Sequence, residues 1–334
     1  MKSESRYPPS SSPSIGVPSL LEQAWRLAPF TPPFAFGAFF SPEDTLLCVC
    51  AADAARHLMA SADVDNGFPI AELTSGSGLV GLYLLGRDCR ARLLGLDIEA
   101  EAARVAERNA QLLGLSDRAR FAQADLWSAS TLQLLQTEAP RLLVCNPPYV
   151  PEPPGTRMQI EAGAGPHGTA HILRALELTR LLKPDTLALS WCSLSDPAGI
   201  IAAAEGSGYQ LRTLYVTAIA DGEYSGSVHS YLRSLDNCFI NEQPETLEVI
   251  APDGSARFSY LLMAGAFERV ADRHPSVAPS VERISLDFDR NGVRSLASAS
   301  GPFALHCSFL TRWDELELRV MLHGDAVRSE QEPT

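Results

Sequence analysis

Arg141-Leu142-Leu143-Val144-Cys145-Asn146-Pro147-Pro148-Tyr149 is an apolar run of strand length that stops at an Asn, two prolines and an aromatic. A run this short, with no polar residue on either face, predicts a strand buried on both sides, as in a parallel sheet covered by helices. The prolines end it. Neither has an N–H to donate, and Pro147 biases Asn146 away from helical geometry. Asn146 is thereby placed at the carboxyl end of a buried strand, the edge at which open α/β sheets bind ligands.

Upstream, Phe68–Leu73 predicts a strand entering Thr74-Ser75-Gly76-Ser77-Gly78, and the apolar repeat of Leu79–Leu85 predicts a helix directly after it. A strand, a Gly-rich turn and a helix N-terminus make the nucleotide-binding corner of a Rossmann-like sheet. A second strand, Ala91–Leu96, ends at Asp97, where an acid accepts hydrogen bonds from ribose hydroxyls. The helix Glu99–Leu113 follows, and then a third strand, Arg120–Ala124, ends at Asp125-Leu126, where an acid can accept an adenine amino group. The fourth strand delivers Asn146. Four successive strand ends thus carry residues of ligand-binding type, which packing alone does not require.

Further out, Ser41-Pro42-Glu43-Asp44 predicts a helix start, with a capping hydroxyl, Pro at the first position and acids in the first turn. That helix is expected from Pro42 to about Ala60. Before it, Thr31–Phe40 holds four phenylalanines in a loop-like context, a core plug or a roof over a pocket. Residues 1–19, dominated by Ser and Pro, are expected to be a disordered tail.

Downstream, the pattern predicts a helix at His171–Leu182, strand five at Thr186–Trp191, a helix at Pro197–Ser207 and strand six at Tyr209–Ile219. Arg257–Phe267 suits a last strand, leaving 221–256 as an insertion with a helix around Ser227–Ile240. Beyond Ala271, Val281–Asp289, Pro302–Thr311 and Glu315–Leu322 alternate like strands, with Asn291-Gly292 a hairpin turn. The expected organisation is a tail (1–19), one α/β domain (20–270) and a small β-rich C-terminal appendage (271–334) with a flexible end.

Composition bounds the function. The 334 residues are 46% apolar and 20% charged, a globular balance, with a formal net charge of -13. Nucleic-acid binding relies on Lys and Arg neutralising phosphates, so the acidic balance weighs against DNA or bulk RNA as substrate. The seven cysteines are scattered without a CxxC pair, and no His/Asp/Cys grouping has metal spacing. A reducing cytoplasm, packed thiols and no metal are therefore expected. No apolar run reaches membrane-spanning length, and the N-terminus lacks a signal-peptide core.

Asn146-Pro147-Pro148-Tyr149, together with Glu72–Gly78, Asp97 and Asp125-Leu126, resembles the class I S-adenosylmethionine (SAM) methyltransferases of the HemK type, which act on protein glutamine. Ser41–Leu47 resembles the entry segment of the eukaryotic and archaeal release-factor branch. The resemblance implies a Rossmann-like seven-stranded α/β sheet with its last strand antiparallel, SAM as cofactor and transfer of a methyl group to a planar NH2 nitrogen. It implies Glu72, Thr74, Ser75, Gly76 and Gly78 around the methionine part of SAM, Asp97 on the ribose, and Asp125 with Leu126 at the adenine. Asn146, Pro147 and Tyr149 are implied as the catalytic set, with Asn146 also beside the cofactor.

The chemistry fits these residue types. A planar NH2 group has its lone pair delocalised into a π-system and is a poor nucleophile. The Asn146 side-chain oxygen and the Pro147 carbonyl offer two acceptors to its two N–H donors, so positioning carries most of the catalysis. Tyr149 supplies an aromatic wall. A protein glutamine is the leading acceptor. A small-molecule amine, an exocyclic base amino group in RNA or DNA, and a non-catalytic SAM-binding module are the alternatives. Two positions depart from the family pattern. Thr74 stands where a glycine is usual, which narrows the turn and crowds the ligand. Ala164-Gly165-Pro166-His167-Gly168 replaces a Gly-Gly-x-Asp/Asn-Gly segment.

Overall fold

The computed structural model describes residues 40–59, 68–235, 246–250, 254, 256–270, 284–289, 292–299 and 304–308. Helices and strands alternate from α1 (Pro42–Leu58) through β1 (Pro69–Leu73), α2 (Leu79–Arg87), β2 (Arg92–Asp97), α3 (Ala100–Leu112), β3 (Ala119–Gln123) and α4 (Ala129–Glu138) to β4 (Leu142–Cys145). They continue as α5 (Ala170–Leu182), β5 (Thr186–Cys192), α6 (Pro197–Gly206) and β6 (Tyr209–Gly222). Two short helices, α7 (Glu223–Ser227) and α8 (His229–Ser234), precede β7 (Thr246–Ile250) and the long β8 (Ala256–Arg269).

The principal strands lie in the order β3-β2-β1-β4-β5-β8-β6. Pairing is parallel throughout β1 to β5, and β8 runs antiparallel to both β5 and β6. This is the Rossmann-like α/β sheet that the resemblance implies, reversed strand included. The strand order changes direction between β1 and β4, and a crevice opens there at their carboxyl ends.

Burial follows position in the sheet. All four residues of β4 and all seven of β5 are buried, because helices cover both faces of these central strands. The edge strand β3 buries only Phe121. Helix α1 lies against β5, β6 and β8, burying nearly every residue from Leu46 to Ala52, with Ala51, Ala52 and Ala55 allowing close approach. Helix α3 presents Ala102, Ala103, Ala106 and Ala110 inward and Arg104 and Glu107 outward. Trp191 on β5 and Phe267 on β8 bring their rings to 6.1 Å in the centre of the core.

Several expectations are corrected. Ser41 is the N-cap of α1, but its hydroxyl makes no capping bond, and the helix ends at Leu58. Helix α4 was absent from the sequence reading; Ser128 caps it by accepting from the Thr131 N–H at 3.1 Å. The insertion holds two short helices and a strand, with β7 paired antiparallel to β8. Further on, β9 (Ile284–Asp289) and β10 (Gly292–Ala299) form an antiparallel pair. The strand β11 (Ala304–Ser308) adds to the main sheet, parallel to β6, so part of the C-terminal stretch continues that sheet. The tail 1–19, the phenylalanines before Phe40 and the strand expected at 315–322 lie outside the described residues. No helix among the described residues is long and apolar enough to cross a membrane.

Candidate active site

At the carboxyl ends of β1 to β4 lies a cleft of about 1080 Å³, counted to its open mouth. Of the residues singled out in the sequence, Glu72, Thr74, Ser75, Gly76, Asp97, Asp125, Leu126, Asn146 and Pro147 line it together. Gly78 and Tyr149 stand behind its wall. His167 is exposed and also lies apart from the lining.

The loop after β1 is held by bonds that the local sequence makes possible. Gly76 donates its N–H to Asp97 Oδ2 at 2.8 Å, and Glu99 donates to Asp97 Oδ1 at 2.9 Å. Each Asp97 oxygen keeps a further lone pair for a ligand. Asn109, fully buried on α3, donates from Nδ2 to the Ser77 carbonyl at 3.0 Å and braces the same loop from behind. Gly78 begins α2 at φ +75, where an added Cβ would meet the Phe121 ring at 2.7 Å. Close packing of the loop on β3 therefore demands glycine there.

Thr74 adopts φ 54, a left-handed conformation that a β-branched residue rarely takes. Its hydroxyl hydrogen is shared between the Leu73 carbonyl at 2.5 Å and the Asn146 carbonyl at 3.0 Å. Beyond the expected crowding of a ligand, which the structure leaves open, Thr74 ties the β1 loop to the end of β4. Thr74→Gly relieves the backbone strain and loses the tie, so the two effects oppose and stability should change by less than about 1 kcal/mol. Thr74→Val keeps the strain and loses the tie, and should cost roughly 2 kcal/mol. Denaturant unfolding of both variants checks the order.

The Asn-Pro-Pro-Tyr segment is clamped at both ends. Thr74 holds the Asn146 carbonyl, and Ser195 Oγ donates to the Tyr149 carbonyl at 2.6 Å. Tyr149 does not form the expected aromatic wall of the cleft. It is 9% exposed, and its hydroxyl bonds to the carboxylate of Asp44. Asp44, in the first turn of α1, also bonds to the Asn146 side chain.

Asp44 lines the cleft and was missed as a site residue, having been read only as a helix-start acid. His171 was missed as well. It meets Trp127 edge-to-face at 4.9 Å and lines the cleft, and burial holds its imidazole below the ordinary histidine pKa.

Three buried side-chain atoms on this one cleft have no partner within the protein: Ser75 Oγ, Asn146 Oδ1 and His171 Nδ1. Buried polar atoms are normally satisfied, so these three are candidates to bond a polar ligand. The charge of the lining is one-sided. Asp97, Glu99, Asp125 and Glu161 contribute carboxylates beside the buried carboxyls of Asp44 and Glu72, and no Lys or Arg is present among the described lining residues. A low-dielectric cleft of this sign favours a cationic ligand. No group of three or more His, Cys, Asp and Glu side chains among the described residues is arranged to hold a metal.

Two of the carboxyls are deeply buried. Burial raises Asp44 to about 7, against the opposing bonds from Tyr149 and Asn146. It raises Glu72 to about 8, although the Gly81 N–H donates to Glu72 Oε2 at 3.0 Å. The folded chain therefore keeps two protons that the unfolded chain releases near pH 4. Between pH 4 and 8 the native state binds more protons than the unfolded state, so stability falls as pH rises through that window. Chemical denaturation from pH 5 to pH 8 should show this loss, and a combined Asp44→Asn, Glu72→Gln variant should flatten it.

No protein-family model matches the chain. It is 40% identical over 92 residues to a release factor glutamine methyltransferase of Chlorobaculum tepidum, covering 28% of this chain and 31% of that one. A second such enzyme, from Moorella thermoacetica, is 31% identical over 187 residues, covering 53% and 60%. A tRNA1(Val) (adenine(37)-N6)-methyltransferase of Porphyromonas gingivalis is 35% identical over 78 residues, covering 23% and 31%. The chain thus spans no more than 60% of the length of these curated relatives.

Proposed function

We propose that this chain is a SAM-dependent N-methyltransferase whose acceptor is a planar NH2 nitrogen, the side-chain amide of a protein glutamine. The observation that carries this reading is the buried, unpartnered Asn146 Oδ1 at the carboxyl end of β4, beside Pro147 in an acid-lined cleft. The similarity to release factor glutamine methyltransferases supports the choice of acceptor.

The residues present fit SAM. Ser75 Oγ, left without a partner, the Glu72 carboxyl and the Asp97 carboxylate would hold its amino-acid and ribose parts. Asp125, Leu126 and the unpartnered His171 Nδ1 would stand at its base. Bound SAM supplies a methyl group on a positively charged sulfonium, a charge that the acidic lining favours.

Asn146 Oδ1 accepts one N–H of the incoming amide, and the Pro147 carbonyl is placed to accept the other. Two acceptors on one NH2 orient its nitrogen toward the methyl donor, so positioning supplies most of the rate. The clamps from Thr74 and Ser195 keep the motif from yielding as the substrate enters. The exposed Trp127 and Ile160 at the mouth give a protein segment apolar surface to rest on.

The competing acceptor is a base amino group, favoured by the similarity to the tRNA adenine enzyme. Isothermal titration with SAM, followed by radiolabel transfer from methyl-tritiated SAM into separate protein, RNA and metabolite fractions, tests the assignment. Label in glutamine-containing peptides supports it. Label confined to RNA or metabolites moves the acceptor class, and absence of SAM binding removes the enzyme reading altogether.

A further inference from the structure

We propose that Asp44 is the positioning residue that sets which end of the Asn146 side-chain amide faces the acceptor, with the Tyr149 hydroxyl steadying Asp44. The inference rests on the methyltransferase reading for its consequence in turnover, but its geometry stands apart from that reading.

An ionised carboxylate only accepts hydrogen bonds. Asp44 is 4% exposed and bonds to both the Asn146 amide and the Tyr149 hydroxyl. Each partner must therefore present a hydrogen to it. For Asn146 that means the NH2 end turns toward Asp44, which leaves Oδ1 as the end available to an incoming donor. Oδ1 is indeed the atom of this side chain that is buried without a partner. An amide turned the other way would meet an incoming NH2 with its own NH2, donor against donor.

Asp44 is held firmly enough to dictate this choice. It lies in the first turn of α1, and that helix is buried against β5, β6 and β8. The orientation of Asn146 is thus imposed from a helix that precedes the whole βα framework, rather than by neighbours of the motif in sequence.

The proton on Asp44 is a switch for the arrangement. A protonated Asp44 can donate to Oδ1, which turns the amide and presents the wrong end to the acceptor. The groups facing Asp44 are Glu43 and Cys48 on α1, Tyr149, Cys192 on β5 and Tyr260 on β8. Burial raises all of them: Cys192 to about 12, Cys48, Tyr149 and Tyr260 well above their ordinary values, and Glu43 upward from the carboxylate range. Asp44 itself titrates at about 7, and Glu72, in the same cleft, at about 8.

The test has one arm that needs no substrate. In chain labelled with 15N-asparagine, the side-chain amide signal of Asn146, assigned by its loss in Asn146→Ala, should move with a midpoint near pH 7. It should be insensitive to pH in Asp44→Asn and keep its midpoint in Glu72→Gln. Tyr149→Phe removes a donor to the carboxylate, so the midpoint should rise. The second arm is single-turnover transfer to a glutamine peptide. Asp44→Asn should lose at least about tenfold in the transfer rate, with SAM affinity within about threefold of wild type and the acid limb of the pH profile gone.

A pH-independent Asn146 signal in the wild type, or Asp44→Asn with full transfer and an unchanged pH profile, overturns the proposal. If the wild type transfers to no nitrogen acceptor, the methyltransferase reading fails, and the titration of the Asn146 signal still decides the orientation.

Discussion

Asn146→Ala should bind SAM with near wild-type affinity and transfer methyl groups about two to three orders of magnitude more slowly, the range for removing one preorganised polar group that acts in the transition state. The side chain it removes ends in a free Oδ1 whose opposite end is anchored to Asp44, and its backbone carbonyl, held by Thr74, survives the substitution. The loop and the cofactor half of the cleft should therefore stay in place. Asn146→Asp keeps the size and an acceptor but sets a second carboxyl against Asp44. Like charges that close disfavour double ionisation, so one of the pair should stay protonated and the loss should persist at neutral pH. Single-turnover transfer with SAM binding measured in parallel checks both variants. Full activity in Asn146→Ala would reduce the motif to a turn.

Gly168→Ala should be the most damaging one-methyl change in the site. Gly168 sits at φ +67, and a Cβ there would lie 2.3 Å from the Tyr149 carbonyl oxygen, 2.9 Å from Ser195 Oγ and 3.0 Å from Pro151 Cδ. The nearest of these is backbone, already pinned by Ser195, so it has no side-chain rotation by which to yield. The strained φ and the overlap together should cost roughly 3 kcal/mol, lowering Tm by something on the order of 5–10 °C. Gly155 supplies the control. It has φ +82 with nothing within 4 Å of an added Cβ, so Gly155→Ala carries the backbone penalty alone, about 1 kcal/mol. Equal melting shifts for the two variants would show that Tyr149 moves freely and that the clamp has no function.

The parts of the site legible in the sequence are those governed by neighbours in the chain. A strand followed by a Gly-rich turn puts Ser75 and Gly76 at a sheet edge, and Asp97 and Asn146 end strands that their own apolar runs define. The parts that escaped depend on long-range placement. Asp44 reads as an ordinary helix-start acid until α1 is laid on the sheet, and only then does it face Asn146. Tyr149 reads as a pocket wall because aromatics after such a motif suit that use, yet its hydroxyl finds Asp44 in the interior. Asn109 and Ser195 look like surface polar residues in their local patterns, and each proves to be a buried brace. Helix α4 escaped for a different reason. Only Thr131 and Leu135 of its ten residues are buried, too few to impose a periodic apolar face, although Ser128 stood ready as its cap.

The packing of α1 against β8 also sets a timetable. Residues Pro42–Leu58 are made well before one of the strands they lie against, Ala256–Arg269, and β8 is also the wedge between β5 and β6. The β1 to β5 half can pair as it is made, through contacts short in sequence. The packing of the helix that carries Asp44 is complete only with a strand made long after it, a closure that is slow because the intervening chain is long. A nascent chain stalled before β8 would then hold a shaped cofactor crevice with the helix that carries Asp44 only partly packed. Competence waits on β8.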